Sequence, residues 1–67
     1  MIELTRLNEV KFSLNPDLIE IVETTPDTVL TLTNGKKLIV KESRQEVKNL
    51  VLCYKRAIFA ELLKFDN

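Results

Sequence analysis

Residues 36–54 read KKLIVKESRQEVKNLVLCY, and the spacing of their apolar side chains changes halfway along. Lys36 to Lys41 fits a strand that turns Leu38 and Val40 to one face, the two-residue repeat of a half-buried β-segment. At Ser43 the repeat lengthens. Ser43-Arg44-Gln45-Glu46 has the form of a capping box, in which the serine oxygen accepts from the third backbone N–H and the glutamate reaches back to the serine N–H. Val47, Leu50, Val51, Tyr54, Ile58, Leu62 and Phe65 then recur at intervals of three and four, which sets them on one stripe of an α-helix. No glycine or proline interrupts Arg44 to Asn67, so the sequence predicts one amphipathic helix over about 44–64.

Upstream of the switch the chain reads as short strands within residues 1–42, separated by turn residues. Ile2 and Leu4 alternate with polar neighbours, and Val10, Phe12 and Leu14 do the same after a hairpin turn at Leu7-Asn8-Glu9. Asn15-Pro16-Asp17 reverses the chain again, because proline fixes φ and the flanking Asn and Asp bond local backbone groups. A third strand spans Leu18 to Glu23, and Thr24-Thr25-Pro26-Asp27 is the next turn. Thr28 to Thr33 places Leu30 and Leu32 on one face. Asn34-Gly35 is the strongest short hairpin signal, read as a two-residue type I′ turn with positive φ at both residues. The expected fold is α+β: an antiparallel meander of about five strands, curled into a sheet or half-open barrel, with the C-terminal helix packed across it. Without repeats or linkers, residues 1–67 are read as a single domain.

A chain of 67 residues has little core to spend on stability. Chains this short usually depend on disulfides, a metal, unusually good packing or a partner subunit. One cysteine, Cys53, and no histidine remove the first two in their common forms, and no cofactor is expected. The lone thiol fits a reducing cytoplasm, and Met1 to Arg6 lacks the pattern of a secretory signal. No apolar run approaches the roughly 20 residues of a membrane span, so direct membrane insertion is not expected. Charge balances overall, with five Lys/Arg against seven Asp/Glu in residues 1–43 and five against three in residues 44–67. That distribution lacks the clustered basic face of a nucleic-acid binder.

Candidate catalytic groups find no company in the sequence. Glu3, Glu9, Glu20, Glu23 and Glu42 fall on solvent-side or turn positions, and a serine or cysteine nucleophile would have no histidine base. Cys53 reads as a small packing residue of the helix. A single glycine, Gly35, excludes glycine-rich phosphate loops. Lys36, Lys37 and Lys41 form a basic strip, which reads as a solvated edge discouraging strand pairing, with an anion or phospholipid contact as the alternative.

The helix carries a second apolar set. At 100° per residue, Leu52, Phe59 and Leu63 lie roughly 120° to 160° from Val47, off the stripe that faces the sheet. Either the helix is deeply enclosed by its own domain or frays after Ala60, or these residues, with Arg56 between them, contact a second copy or another protein. The second reading is preferred, and it predicts a homo-oligomer joined through the helix.

Several segments together resemble a known family. Thr5-Arg6-Leu7-Asn8, Leu14-Asn15-Pro16-Asp17 leading into Ile19-Glu20, Pro26-Asp27-Thr28, Asn34-Gly35-Lys36 and Val40-Lys41-Glu42-Ser43 look like the FlbD/SwrD family of small bacterial flagellar and swarming-motility proteins, over Met1 to about Tyr54. Glu9 departs from the pattern, which has glycine after the asparagine. The resemblance implies a non-enzymatic cytoplasmic accessory of motility, held at the flagellar base through a protein partner and supporting torque delivery by the motor's stator units. It implies no catalytic residues. Met1-Ile2-Glu3-Leu4-Thr5-Arg6 is also similar to the opening of the CsrA translational regulators, small dimeric RNA-binding proteins. Arg44 and Glu46 echo that family's basic stretch, whereas the acidic balance of the strand region argues against it.

Overall fold

The computed structural model describes residues 1–64. Phe65, expected to extend the helix stripe, lies outside the described residues. The elements are β1 (Ile2–Thr5), β2 (Lys11–Leu14), a 3₁₀ turn (Pro16–Leu18), β3 (Ile19–Thr24), β4 (Thr28–Leu32), β5 (Lys37–Val40) and α1 (Arg44–Lys64). The five antiparallel strands and the terminal helix are those the sequence predicts. They divide into a β1–β2 hairpin and a three-stranded sheet in the order β3-β4-β5, curled but not closed into a barrel. The two sheets meet where Arg6 bridges Val40 and the Lys41 N–H donates to the Thr5 carbonyl at 2.8 Å.

Alternation builds the core. Ile2 and Leu4 of β1, Leu14 of β2, Leu30 and Leu32 of β4 and Val40 of β5 are buried with Val47 of α1, all on inward positions of their elements. Val10, read as inward, is 52% exposed, because β2 begins only at Lys11 and Val10 belongs to the turn. Leu18, read as the start of the third strand, instead ends the 3₁₀ turn that Asn15 caps by accepting from the Asp17 N–H at 3.0 Å. Pro16 opens that turn and is buried. Pro26 and Asp27 turn the chain between β3 and β4 as expected, with the Thr25 N–H donating to the Asp27 carbonyl at 3.0 Å across a cis Thr25-Pro26 bond.

The Asn34-Gly35 hairpin differs from its expected form. Only Gly35 takes positive φ, at 87°, and the loop holds three residues, Thr33-Asn34-Gly35. The Gly35 N–H donates to the Leu32 carbonyl at 2.9 Å, and the Leu32 N–H donates to the Lys36 carbonyl at 2.8 Å. This is a type I turn followed by one left-handed residue, a form that needs glycine at its last position only. The β1–β2 hairpin repeats it residue for residue. The Glu9 N–H donates to the Arg6 carbonyl at 3.0 Å and the Arg6 N–H to the Val10 carbonyl at 2.8 Å. Asn8 and Asn34 each accept from the backbone N–H two residues on, at 3.1 Å and 3.0 Å.

Glu9 therefore stands at the left-handed position that Gly35 fills in the second hairpin, with φ at 72°. A left-handed conformation costs a residue with a Cβ about 1–2 kcal/mol, partly offset here by the exposed ion pair between Glu9 and Lys41. Glu9→Gly should raise stability by about 0.5 kcal/mol once glycine's greater unfolded-state entropy is subtracted. Thermal melting checks this, and a lowered midpoint would mean that the Lys41 pair outweighs the backbone strain.

Candidate interaction surface

Two devices aim α1. The first is the capping box: the Glu46 N–H donates to Ser43 Oγ at 3.1 Å, and the Ser43 N–H donates to Glu46 Oε1 at 3.1 Å. The second was not legible in the sequence. Glu42, read as a solvated carboxylate, is half-buried and accepts from the Thr5 N–H at 2.9 Å and from the Thr5 hydroxyl at 2.8 Å. It ties β1 to the residue just before the helix cap. Burial acts to raise the Glu42 pKa, but the two Thr5 bonds, with help from the Lys11 charge, hold it below the ordinary value of 4.5.

The sign of that shift fixes a pH dependence. A carboxyl whose pKa is lower in the folded chain contributes stability that is present above the unfolded value and lost as pH falls through the folded one. Glu42→Gln should cost about 1–2 kcal/mol at pH 7, the range for hydrogen bonds to a charged group discounted for partial exposure. The cost should shrink toward pH 3. Urea unfolding of both proteins at the two pH values measures it, and a cost that ignores pH would assign the tie to Thr5 packing instead.

From its cap, α1 packs Val47, Leu50, Val51 and Tyr54 against the core, a run of i, i+3, i+4 and i+7. Val47 alone among them is fully buried, at 1% exposure. Beyond Tyr54 the cover ends, and every described side chain from Lys55 to Leu63 is exposed. Lengths explain this. Strands of 4 to 6 residues span roughly 13–20 Å, whereas the 21-residue helix runs about 31 Å. The molecule accordingly measures 47 × 23 × 18 Å.

The uncovered surface is larger than the one expected. Leu52, Phe59 and Leu63 are 43%, 61% and 51% exposed, and Arg56 is exposed among them. Ile58 and Leu62, expected to face the sheet, are 42% and 61% exposed, since their stripe outruns the strands it was meant to cover. The end of α1 thus carries Ile58, Phe59, Leu62 and Leu63 together over about 140° of its circumference. Between Tyr54, Ala57, Ile58 and Leu62 lies a shallow apolar hollow of about 280 Å³. Cys53, read as a packing residue, is exposed on the flank of the helix.

Other candidates disperse. Lys41 of the basic strip pairs with Glu9, leaving Lys36 and Lys37 exposed beside the β4–β5 turn. Among the described residues no helix is long and apolar enough to cross a membrane.

Comparison with known proteins adds one finding. The family model FlbD, described as flagellar and swarming motility proteins, matches residues 1–59 of the chain. No curated protein and no solved structure matches.

Proposed function

The chain belongs to the FlbD family of flagellar and swarming motility proteins, and from that premise we propose that it serves motility as a non-enzymatic binding protein whose contact surface is the uncovered half of α1. The observation that carries this reading is the exposure of Phe59, Leu62 and Leu63, each more than half open to solvent along one helix. An apolar patch of this kind on a small chain marks a contact with another molecule.

A second copy is the first occupant. An isolated helix shorter than about 12–15 residues is marginal in water, and every described side chain from Lys55 to Leu63 is exposed. Pairing two such segments covers both apolar surfaces at once, in the self-complementary manner of a two-fold dimer. The paired helices then present a rigid platform to a component of the flagellar motor, on the cytoplasmic side, where the protein supports torque from the stator units. A protein partner, and no membrane segment of its own, holds it at the flagellar base.

Deleting the gene tests the reading in motile cells. Filaments should still assemble while swarming weakens, and the wild-type gene should restore it. A Phe59→Glu/Leu63→Glu gene expressed to the same level should not. Undiminished swarming in the deletion strain, or full rescue by the double variant, would refute the proposal.

A further inference from the structure

Away from the helix tip, a groove of about 800 Å³ runs between β3 and the first three turns of α1. Pro16, Ile19, Val22, Val47, Val51 and Leu52 give it an apolar floor. Its rim is charged and uneven. Arg44, Lys48 and Lys55 line the helix side, against Glu20 on the strand side. Lys55 lies 4.0 Å from Asp17, whereas among the described residues Arg44 and Lys48 enter no ion pair. The rim thus carries an excess of positive charge, three cations against Glu20, and Arg44 and Lys48 stand over the apolar trough without an ion-pair partner among the described residues.

We propose that this groove binds an extended peptide segment of a partner protein in which acidic and apolar residues alternate. β3 is an edge strand of its sheet, and the outer side of such a strand pairs with an extended chain. Arg44 to Lys55 spans about 16 Å of helix axis, the length of about five residues of extended chain. Spacing supplies the register. Arg44 and Lys48 sit one turn apart, about 6 Å along the axis, and carboxylates at positions i and i+2 of an extended chain are about 6.6 Å apart. The residues between those carboxylates point the other way, onto the apolar floor. The motif recognised is therefore acidic-apolar-acidic-apolar, with affinity that falls as salt rises, because the cations are exposed and their attraction is screened.

This surface meets the apolar face of the helix tip only at Leu52, and its charged rim at Arg44 and Lys48 does not depend on the self-association proposed above. Selection of a displayed library of random dodecapeptides against the full chain tests it. Enriched peptides should carry Asp or Glu at alternate positions with apolar residues between them. Synthetic versions should bind at least tenfold more weakly to Arg44→Glu/Lys48→Glu, which changes only exposed side chains, and equally well to Phe59→Glu. Backbone amide shifts on binding should centre on Ile19 to Val22 and on Arg44 to Leu52. Enrichment of basic peptides, an acidic pattern with helical three-and-four spacing, binding indifferent to the charge reversal, or no enrichment at all would overturn the proposal.

Discussion

Val47→Asp should leave the protein without a cooperative unfolding transition at 25 °C. Val47 is the one residue fully enclosed among the described residues of α1, so the helix docks through it more than through any other side chain. An aspartate there is either ionised without a partner or protonated at a cost, and the penalty is several kcal/mol. A favourable interaction with the helix N-terminus would return no more than about 1 kcal/mol. Total stability for this length is roughly 3–10 kcal/mol, so the loss removes most or all of it. Val47→Ala should cost about 2 kcal/mol and keep a cooperative transition. The near-ultraviolet circular dichroism of Tyr54, which packs against the same core, reports the docking directly. A Val47→Asp protein that melts within a few degrees of wild type would show that the helix is held some other way.

Phe59→Glu should weaken self-association by more than a hundredfold while leaving the monomer's fold intact. Fully burying a large apolar side chain is worth about 1.5–3 kcal/mol, so the open fractions of Phe59, Leu62 and Leu63 leave roughly 4 kcal/mol unrealised in each copy. Two copies, with Ile58 and Leu52 added, supply about 10–12 kcal/mol against an association cost of about 4–15 kcal/mol. At the low end of that cost the balance is about 6–8 kcal/mol, a dimer of roughly 1–40 μM strength, which one buried charge per copy suffices to break. Because Phe59 is 61% exposed in the monomer, the variant's melting midpoint at low concentration should lie close to that of wild type. At high concentration the two should separate, since dimerisation raises the apparent stability of wild type alone.

The fold was largely legible because each element carries a local signal. The capping box at Ser43 and Glu46 forms bond for bond as its spacing predicts, and the alternation of Leu30, Leu32 and Val40 names the inner face of the sheet. What failed depended on geometry beyond the next few residues. Asn34-Gly35 specifies a turn but not its length, and the three-residue form prevails with only Gly35 left-handed. Helical periodicity places Ile58 and Leu62 on the inward stripe correctly; that the strands are too short to reach them is a property of another part of the chain. Glu42 gave no signal, since its partner Thr5 stands 37 positions away. The groove beside β3 is likewise invisible in sequence, because its walls come from Pro16 to Val22 and from Arg44 to Lys55, whose meeting only the tertiary fold decides.

Sedimentation velocity of the full chain, from low micromolar to several hundred micromolar, bears most directly on whether the tip of α1 is a binding surface for its own kind. Wild type should pass from monomer to dimer across that range, and Phe59→Glu should sediment as a monomer throughout. Wild type that stays monomeric at the highest concentration, or a Phe59→Glu protein that dimerises as wild type does, would contradict it.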